Sequence, residues 1–200
     1  ILIGSKKEEG GRIDEKKSSG LEKFFLSKNI KLGRLKTGTP PRLSKESINF
    51  DGLEIQPGED NLYMSFLGKK NQHPKQTVCH ITRTNKETHK IINRDIKKSA
   101  MYSGLISGVG PRYCPSIEDK VVRFSEKQNH QIFLEPEGIE SDWMYPNGIS
   151  TSLPRETQDD YLQSNKGFEG AKILQFGYAV EYDYIDPRNM TKDLLLKGST

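Results

Sequence analysis

The sequence predicts a mixed α/β fold. Short stretches rich in β-branched residues, such as residues 77–84 (TVCHITRT), alternate with segments that open on a capping residue and continue with apolar side chains at spacings of three and four. No internal repeat and no low-complexity tract argue for a solenoid or a disordered chain. With 200 residues, 32% of them hydrophobic and 29% charged, the chain is long enough for one domain with a sizeable core or for parts of two.

Residues 1–4 read as the end of a strand, followed by a polar loop (SKKEEGGRIDEKKSSG) with glycines for tight turns. Ser19 and Glu22 have the spacing of a capping box for a short helix whose Leu21, Phe24 and Phe25 form an apolar face. Ile30, Leu32 and Leu35 belong to the next strand, which is expected to give way to a loop at Thr37-Gly38-Thr39-Pro40-Pro41. There Gly38 lets backbone approach a ligand, although an interdomain turn fits the same residues.

Residues 43–61 show turn residues and short apolar pieces, and Tyr63, Ser65 and Leu67 alternate like an edge strand. In the strand over 77–84, Cys79 and Ile81 share one face, Val78 and His80 the other. Thr84 and Glu87 mark a second capping box, opening a helix with Ile92 and Ile96 inward and Lys86, Lys90, Arg94, Lys97 and Lys98 around the rest. Further strands are expected at 131–135, 149–153, 171–176 and 178–182, with a helix from Pro154 and Arg155 through Leu162 that Gly167 ends.

Charge is unevenly placed. Residues 69–98 hold nine Lys or Arg against Glu87 and Asp95, a local +7 that leaves −3 for the rest of a chain whose net charge is +4. A polyanion-binding face and a solvated lysine-rich surface both fit this pattern. No apolar run approaches the roughly 20 residues that span a bilayer. The first residues also lack the apolar segment of a secretory signal, although the chain does not begin with methionine. Two cysteines argue against a disulfide framework and are compatible with a reducing compartment. His73, His80, His89 and His130 form no metal pattern, and neither GxSxG nor a P-loop is present.

Residues 108–124 (GVGPRYCPSIEDKVVRF) hold the densest chemistry. Ser116 is placed to cap a helix with Asp119 at its third position, and Ile117, Val121 and Phe124 follow at spacings of four and three. Cys114 therefore stands just ahead of a helix start, beside Arg112 and close to two prolines. The helix dipole and the guanidinium both favour a thiolate, which makes Cys114 the candidate catalytic nucleophile, against the alternative of a small buried thiol. Glu118, Asp119 and Lys120 are placed for proton transfer, or as ordinary acids of a first helical turn and the lysine that follows them. Cys79, in its β-branched strand, reads as packing.

Seven segments then follow one another along nearly the whole chain: GGR (10–12), GRLKTGTPPR (33–42), QHP (72–74), PRYCPSIEDK (111–120), FLEPEG (133–138), YPNGISTSLP (145–154) and GYAVEYDYIDPR (177–188). In this order they resemble the glucose-inhibited division protein A family, FAD-dependent enzymes that place a carboxymethylaminomethyl group on the wobble uridine of certain tRNAs. The resemblance implies part of a Rossmann-like FAD-binding domain over residues 1–42, an inserted mixed α/β nicotinamide-binding domain over 43–181, and a return to the FAD domain over 182–200. It implies cofactor contacts at Ser18, Thr37, Gly38 and Thr39, and at Gly110, Pro111, Arg112, Tyr113, Pro115, Ser116, Ile117, Glu118, Asp119 and Lys120. Within the basic cluster, Lys90, Arg94 and Lys97 are the expected tRNA contacts.

The resemblance further implies FAD and NADH as cofactors, methylenetetrahydrofolate as one-carbon donor, glycine or ammonia as the amine, a GTPase partner protein and a homodimer. The expected location is the cytoplasm, or an organelle if the source is a eukaryote. No GxGxxG fingerprint is present, since GLISGVG at 104–110 has the wrong spacing. In the family that motif and a second catalytic cysteine lie upstream, so the chain reads as an internal segment of a longer enzyme, inactive by itself. A folate- and FAD-dependent tRNA uridine-5-methyltransferase, or a segment that only binds tRNA or nucleotide, are the rival readings.

Overall fold

The structure, a computed structural model, describes residues 1–59, 63, 65–68, 75–111 and 115–197. Its elements in chain order are β1 (Leu2–Ile3), β2 (Lys6–Lys7), α1 (Leu21–Ser27), β3 (Leu32–Thr39), β4 (Arg42–Ser44), β5 (Glu54–Gln56), β6 (Cys79–Arg83), α2 (Lys86–Asp95), α3 (Ile117–Arg123), β7 (Gln131–Pro136), β8 (Trp143–Asn147), α4 (Arg155–Gln163), β9 (Ile173–Gln175) and β10 (Tyr178–Ile185). The mixed α/β class is as expected, and the strands form two antiparallel sheets, ordered β2-β1-β10-β3 and β5-β6-β7-β8-β4-β9.

The long ladder of the smaller sheet pairs β3 with β10 from Leu32↔Ile185 to Thr39↔Tyr178. Between those strands the chain builds the larger sheet and its helices. Alternation sets the larger core: Ile132 and Leu134 of β7 and Met144 of β8 point to one face, where Ile92 of α2, Ile117 and Val121 of α3, and Tyr161 and Leu162 of α4 cover them. A smaller cluster of Leu2, Ala100 and Ala179, with Met101 and Ile106 against it, fastens the four-stranded sheet to the segment after α2. Where the chain returns, the Gln158 amide of α4 holds Gly177 on both sides, accepting from its N–H at 2.7 Å and donating to its carbonyl at 2.9 Å.

Several local expectations shift. The α3 capping box stands as read, with Ser116 Oγ accepting from the Asp119 N–H at 3.1 Å and Asp119 Oδ2 accepting from the Ser116 N–H at 3.3 Å. The cap of α2 is Asn85, one residue later than read, with Thr88 closing the box, because Thr84 is engaged elsewhere: its hydroxyl accepts from the His130 N–H at 2.7 Å. The cap of α1 is Gly20, whose φ of 100° only glycine adopts easily, and its N–H is taken by Glu22 Oε2 at 2.9 Å rather than any cap from Ser19. Residues 37–39 continue β3 instead of opening a loop, β4 runs into the 43–61 stretch from Arg42 and β5 forms inside it, and residues 65–68 close a turn.

The largest change concerns residues 149–153. Their alternation reports burial, since Ile149, Thr151, Ser152 and Leu153 are all fully buried, but they form no strand. Their backbone groups instead bond to scattered partners: the Ser150 carbonyl to the Ile117 N–H, the Thr151 N–H to the Thr39 carbonyl, the Ser152 carbonyl to the Gly4 and Ala100 N–H groups. The strand lies just before them, as β8.

Candidate functional site at the seam between the sheets

Residues 107–111 run along the four-stranded sheet. Val109 makes a parallel bridge with Leu35, and a side chain at Gly108 would put Cβ only 2.9 Å from the Leu35 carbonyl, so glycine is required for that approach. Glu181 of β10 anchors the turn, its Oε1 accepting from the N–H of Ser107 and of Gly108, each at 2.8 Å, and from the Ser107 hydroxyl at 3.0 Å. Burial alone pushes this carboxyl up, yet the Gly108 and Ser107 donors and Arg34 outweigh it and hold the pKa below the usual range. Past Pro115 the chain belongs to the other body, as α3 on the larger core. Arg112, Tyr113 and Cys114, the centre of the expected site, lie outside the described residues.

The first turn of α3 faces inward. Ser116, Ile117, Glu118 and Asp119 are all buried. Glu118 Oε1 accepts from the Ser99 hydroxyl and the Ser152 N–H, both at 2.9 Å. Asp119 accepts from the Tyr102 hydroxyl at 3.1 Å, and its carboxylate lies 3.5 Å from Lys36 of β3 and 3.5 Å from Arg123. Burial raises the Asp119 pKa, but Lys36, the Ser116 backbone, Arg123 and Tyr102 outweigh it and the net shift is downward. The Tyr102 phenol is pushed up to about 12, by burial first and then by the Asp119 charge. Lys120 reaches across to the Gly148 carbonyl at 2.7 Å.

Three more of the sequence motifs meet at one guanidinium. Arg42, from GRLKTGTPPR, donates to Thr39 Oγ1 at 2.7 Å and to the Pro40 carbonyl at 2.6 Å, pairs with Glu137 of FLEPEG, and lies over the ring of Tyr145 of YPNGISTSLP at 4.4 Å. Thr39 is therefore bound within the fold, and the space over Gly38 is taken by Met101 and Ser150.

Ser18 lies elsewhere. It lines a groove of about 920 Å³ between α1 and the four-stranded sheet, with Gly10, Gly11, Phe25, Leu32 and Tyr184 among its walls. A Cβ at Gly11 would meet nothing within 4 Å. The apolar wall of Phe25, Leu32 and Tyr184 suits the planar ring of a flavin, and the open Gly11 leaves room beside Ser18, while Glu8, Glu9, Glu22 and Asp183 line the same groove together with Lys7, Lys17 and Arg34. The structure does not bring Ser18 together with residues 37–39 along this groove.

The family profile described as Glucose inhibited division protein A matches residues 1–200. The chain belongs to this family. It is 56% identical over 199 residues to the "tRNA uridine 5-carboxymethylaminomethyl modification enzyme MnmG" of Buchnera aphidicola subsp. Cinara cedri (strain Cc), covering 97% of this chain and 31% of that protein. Among solved structures it resembles Aquifex aeolicus GidA in its form I crystal, with a TM-score of 0.89 and 45% identity over 98% of this chain and 34% of that one. For the form II crystal the TM-score is 0.85 and the identity 41%, over 98% and 32% of the two chains. The chain thus spans about a third of the length of the relatives it matches.

Within this member of the glucose inhibited division protein A family, the basic cluster is partly neutralised. Arg94 binds Asp95 at 2.7 Å and Asp160 at 2.8 Å, Lys98 binds Asp95 at 2.7 Å, and Lys90 lies 3.1 Å from Glu87. Burial pushes Asp95 up, but Arg94, Lys98 and Thr157 more than offset it and its pKa falls to about 2. Lys97 instead lines a cleft of about 320 Å³ with Lys6, Lys98 and Arg155. Residues 69–74, including QHP and two of the cluster's lysines, lie outside the described residues. Cys79 is half-buried, its thiol pushed up by burial and by Glu135.

Among the described residues no group of three His, Cys, Asp or Glu side chains is arranged to hold a metal ion, and no helix is long and apolar enough to cross a membrane. Sequence reasoning missed Lys36, Ser99, Tyr102 and Ser152. Only Lys36 and Ser152 carried a signal, as members of family-like segments.

Proposed function

We propose that the longer polypeptide carrying this chain is an FAD- and NADH-dependent tRNA-modifying enzyme that adds a carboxymethylaminomethyl or aminomethyl group at C5 of the wobble uridine. The observation that supports this most is that four of the segments resembling the family, GRLKTGTPPR, PRYCPSIEDK, FLEPEG and YPNGISTSLP, are tied to one another in space, at Arg42 and at the seam around Asp119, in a chain with the family's fold. Methylenetetrahydrofolate supplies the one-carbon unit, glycine or ammonia the amine, and a GTPase acts as partner. We assign the enzyme to the cytoplasm, or to an organelle in a eukaryote, as a homodimer.

In this reading residues 1–42 and 182–200 belong to the flavin domain and residues 43–181 to the inserted nicotinamide domain. The chemistry FAD supplies when bound is reversible two-electron transfer. Ser18 lies against the flavin, while Thr37, Gly38 and Thr39 shape the sheet behind it. Gly110, Pro111, Arg112, Tyr113 and Pro115 form the nicotinamide contact, and the buried Ser116, Ile117, Glu118 and Asp119, with Lys120, hold it in place. Cys114 is the nucleophile or acid: a thiolate that adds at C6 of uracil raises electron density at C5, and a thiol can donate a proton. Lys90, Arg94 and Lys97 belong to the tRNA face.

The test is product analysis. The full-length polypeptide, supplied with FAD, NADH, methylenetetrahydrofolate, glycine or ammonia, the GTPase, GTP and unmodified tRNA, is expected to yield the aminomethyl-type nucleoside by mass spectrometry. A 5-methyluridine product, or none, would overturn it.

A further inference from the structure

We infer that Glu118 is a positioning residue whose buried carboxylate sets how the two sheets sit against each other, rather than a cofactor contact. This rests on the proposed function, in which almost all of the larger sheet lies in the nicotinamide domain and most of the smaller sheet in the flavin domain. Glu118 is fully buried. Its Oε1 gathers three donors, the Ser99 hydroxyl at 2.9 Å, the Ser152 N–H at 2.9 Å and the Ser152 hydroxyl at 3.4 Å. The two hydroxyls lie 2.8 Å apart, and the Met101 N–H reaches both, at 3.3 and 3.2 Å.

Ser152 passes this restraint on. Its carbonyl accepts from the N–H of Gly4, in the turn between β1 and β2, at 2.7 Å, and from the N–H of Ala100 at 3.4 Å. Ala100 packs with Leu2 of β1 and Ala179 of β10 in the smaller core. One carboxylate on the larger body is thus linked through a single serine to the first turn of the smaller sheet. Ser99 and Ser152, which bond to Oε1, are neutral, in contrast to the Lys36 and Arg123 beside Asp119. What the site requires is an acceptor at Oε1, and a glutamine oxygen supplies one. Oε2 is buried with no hydrogen-bond partner among the described residues.

The experiment uses the full-length polypeptide and two readouts: amide hydrogen exchange at Gly4, Ala100 and Ser152, and stopped-flow reduction of bound flavin at increasing NADH. Glu118→Gln keeps the acceptor at Oε1 but puts an amide nitrogen in the unpartnered place of Oε2, so exchange protection and limiting rate are expected to fall no more than about threefold, with the apparent Kd for NADH within about twofold. Glu118→Ala is expected to lower protection at these amides and the limiting rate about tenfold each, with the Kd within about twofold, because misplacing two reactants slows transfer without weakening either binding step. Should Glu118→Ala not fold, Ser99→Ala removes one donor and is expected to move both readouts the same way by about threefold.

A tenfold rise in Kd in Glu118→Gln with protection intact would make the carboxylate a nicotinamide contact and overturn the inference. Unchanged protection in folded Glu118→Ala, or in Ser99→Ala if that is the variant available, would also overturn it. If NADH does not reduce the flavin of the unaltered enzyme, the proposed function fails, while the exchange data still decide whether Glu118 joins the sheets.

Discussion

Lys36 Nζ lies 3.5 Å from Asp119 Oδ2, an ion pair between a strand of the four-stranded sheet and the helix that follows the expected catalytic cysteine. Both side chains are largely withdrawn from solvent, at 15% and 10% exposure, so the pair is screened less than a surface bridge. Lys36 also lies 3.1 Å from the Met101 sulfur, which keeps its amine over the seam.

Lys36→Met is expected to destabilise the protein by about 1–2 kcal/mol, less than a fully buried pair would, because Asp119 keeps Ser116, Tyr102 and Arg123. Urea unfolding of Lys36→Met, Asp119→Asn and the double variant measures the coupling. Since the Asp119 pKa is lowered in the folded state, its stabilisation is present above the ordinary carboxylate pKa of about 3.9 and is lost as pH falls through the folded value. The variant should therefore show a flatter acid limb.

Cys114→Ser is expected to abolish nearly all modified nucleoside while flavin content and thermal stability stay close to the parent, since serine is similar in size and a far weaker nucleophile. Cys79→Ser is expected to keep the yield and to cost up to about 1–2 kcal/mol, because its thiol is half-buried and disfavoured as a thiolate. Single-turnover product yields with parallel melting curves decide it. Full yield from Cys114→Ser would make that residue structural.

For the basic cluster, replacing Lys90, Arg94 and Lys97 together by Ala should weaken tRNA binding and flatten its salt dependence, because each lost phosphate contact releases fewer counterions. Arg94→Ala alone should act chiefly on folding, as it leaves the buried Asp95 with Lys98 and Thr157 only. Filter binding across salt concentrations, with melting of the single variant, separates the two roles. An unchanged slope returns the cluster to a solvated surface.

The His89 and His130 rings lie 5.2 Å apart, tilted by 33°, with Thr84 Oγ1 2.8 Å from His89 Nε2 and His130 Nε2 buried without a partner among the described residues. Burial lowers both pKa values, and His89, Lys120 and Lys127 lower that of His130 further. The unfolded chain thus takes up protons that the fold refuses, so stability should be full above a pH of about 6.5 and fall as pH drops below it. Unfolding at pH 7.5, 6.5 and 5.5 checks this, and His130→Gln should lessen the slope. A flat profile in the unaltered protein would refute it.

The start of α3 at Ser116 was legible because a capping box is local: its hydrogen bonds close within four residues. β7 was legible for the same kind of reason, as Ile132 and Leu134 alternate with more exposed neighbours. Family membership was legible in long segments that persist in order along the chain. By itself, then, the sequence determined the α/β class, the family and the helix beginning at Ile117.

Tertiary structure alone decided which residues meet. Alternation over residues 149–153 reports burial but not pairing, and their backbone groups are satisfied by Thr39, Gly4, Ala100 and Ile117 instead of a neighbouring strand. Thr84 looked like a helix cap until His130 claimed its hydroxyl. Glu118 and Asp119 looked like ordinary acids of a first helical turn, since nothing beside them in the chain announces Ser152 or Lys36. A local pattern prices only local hydrogen bonds. Contacts between distant segments are chosen by how two sheets bury their apolar faces, and that choice turned both carboxylates inward, one onto a serine loop and the other onto a lysine of the opposite sheet.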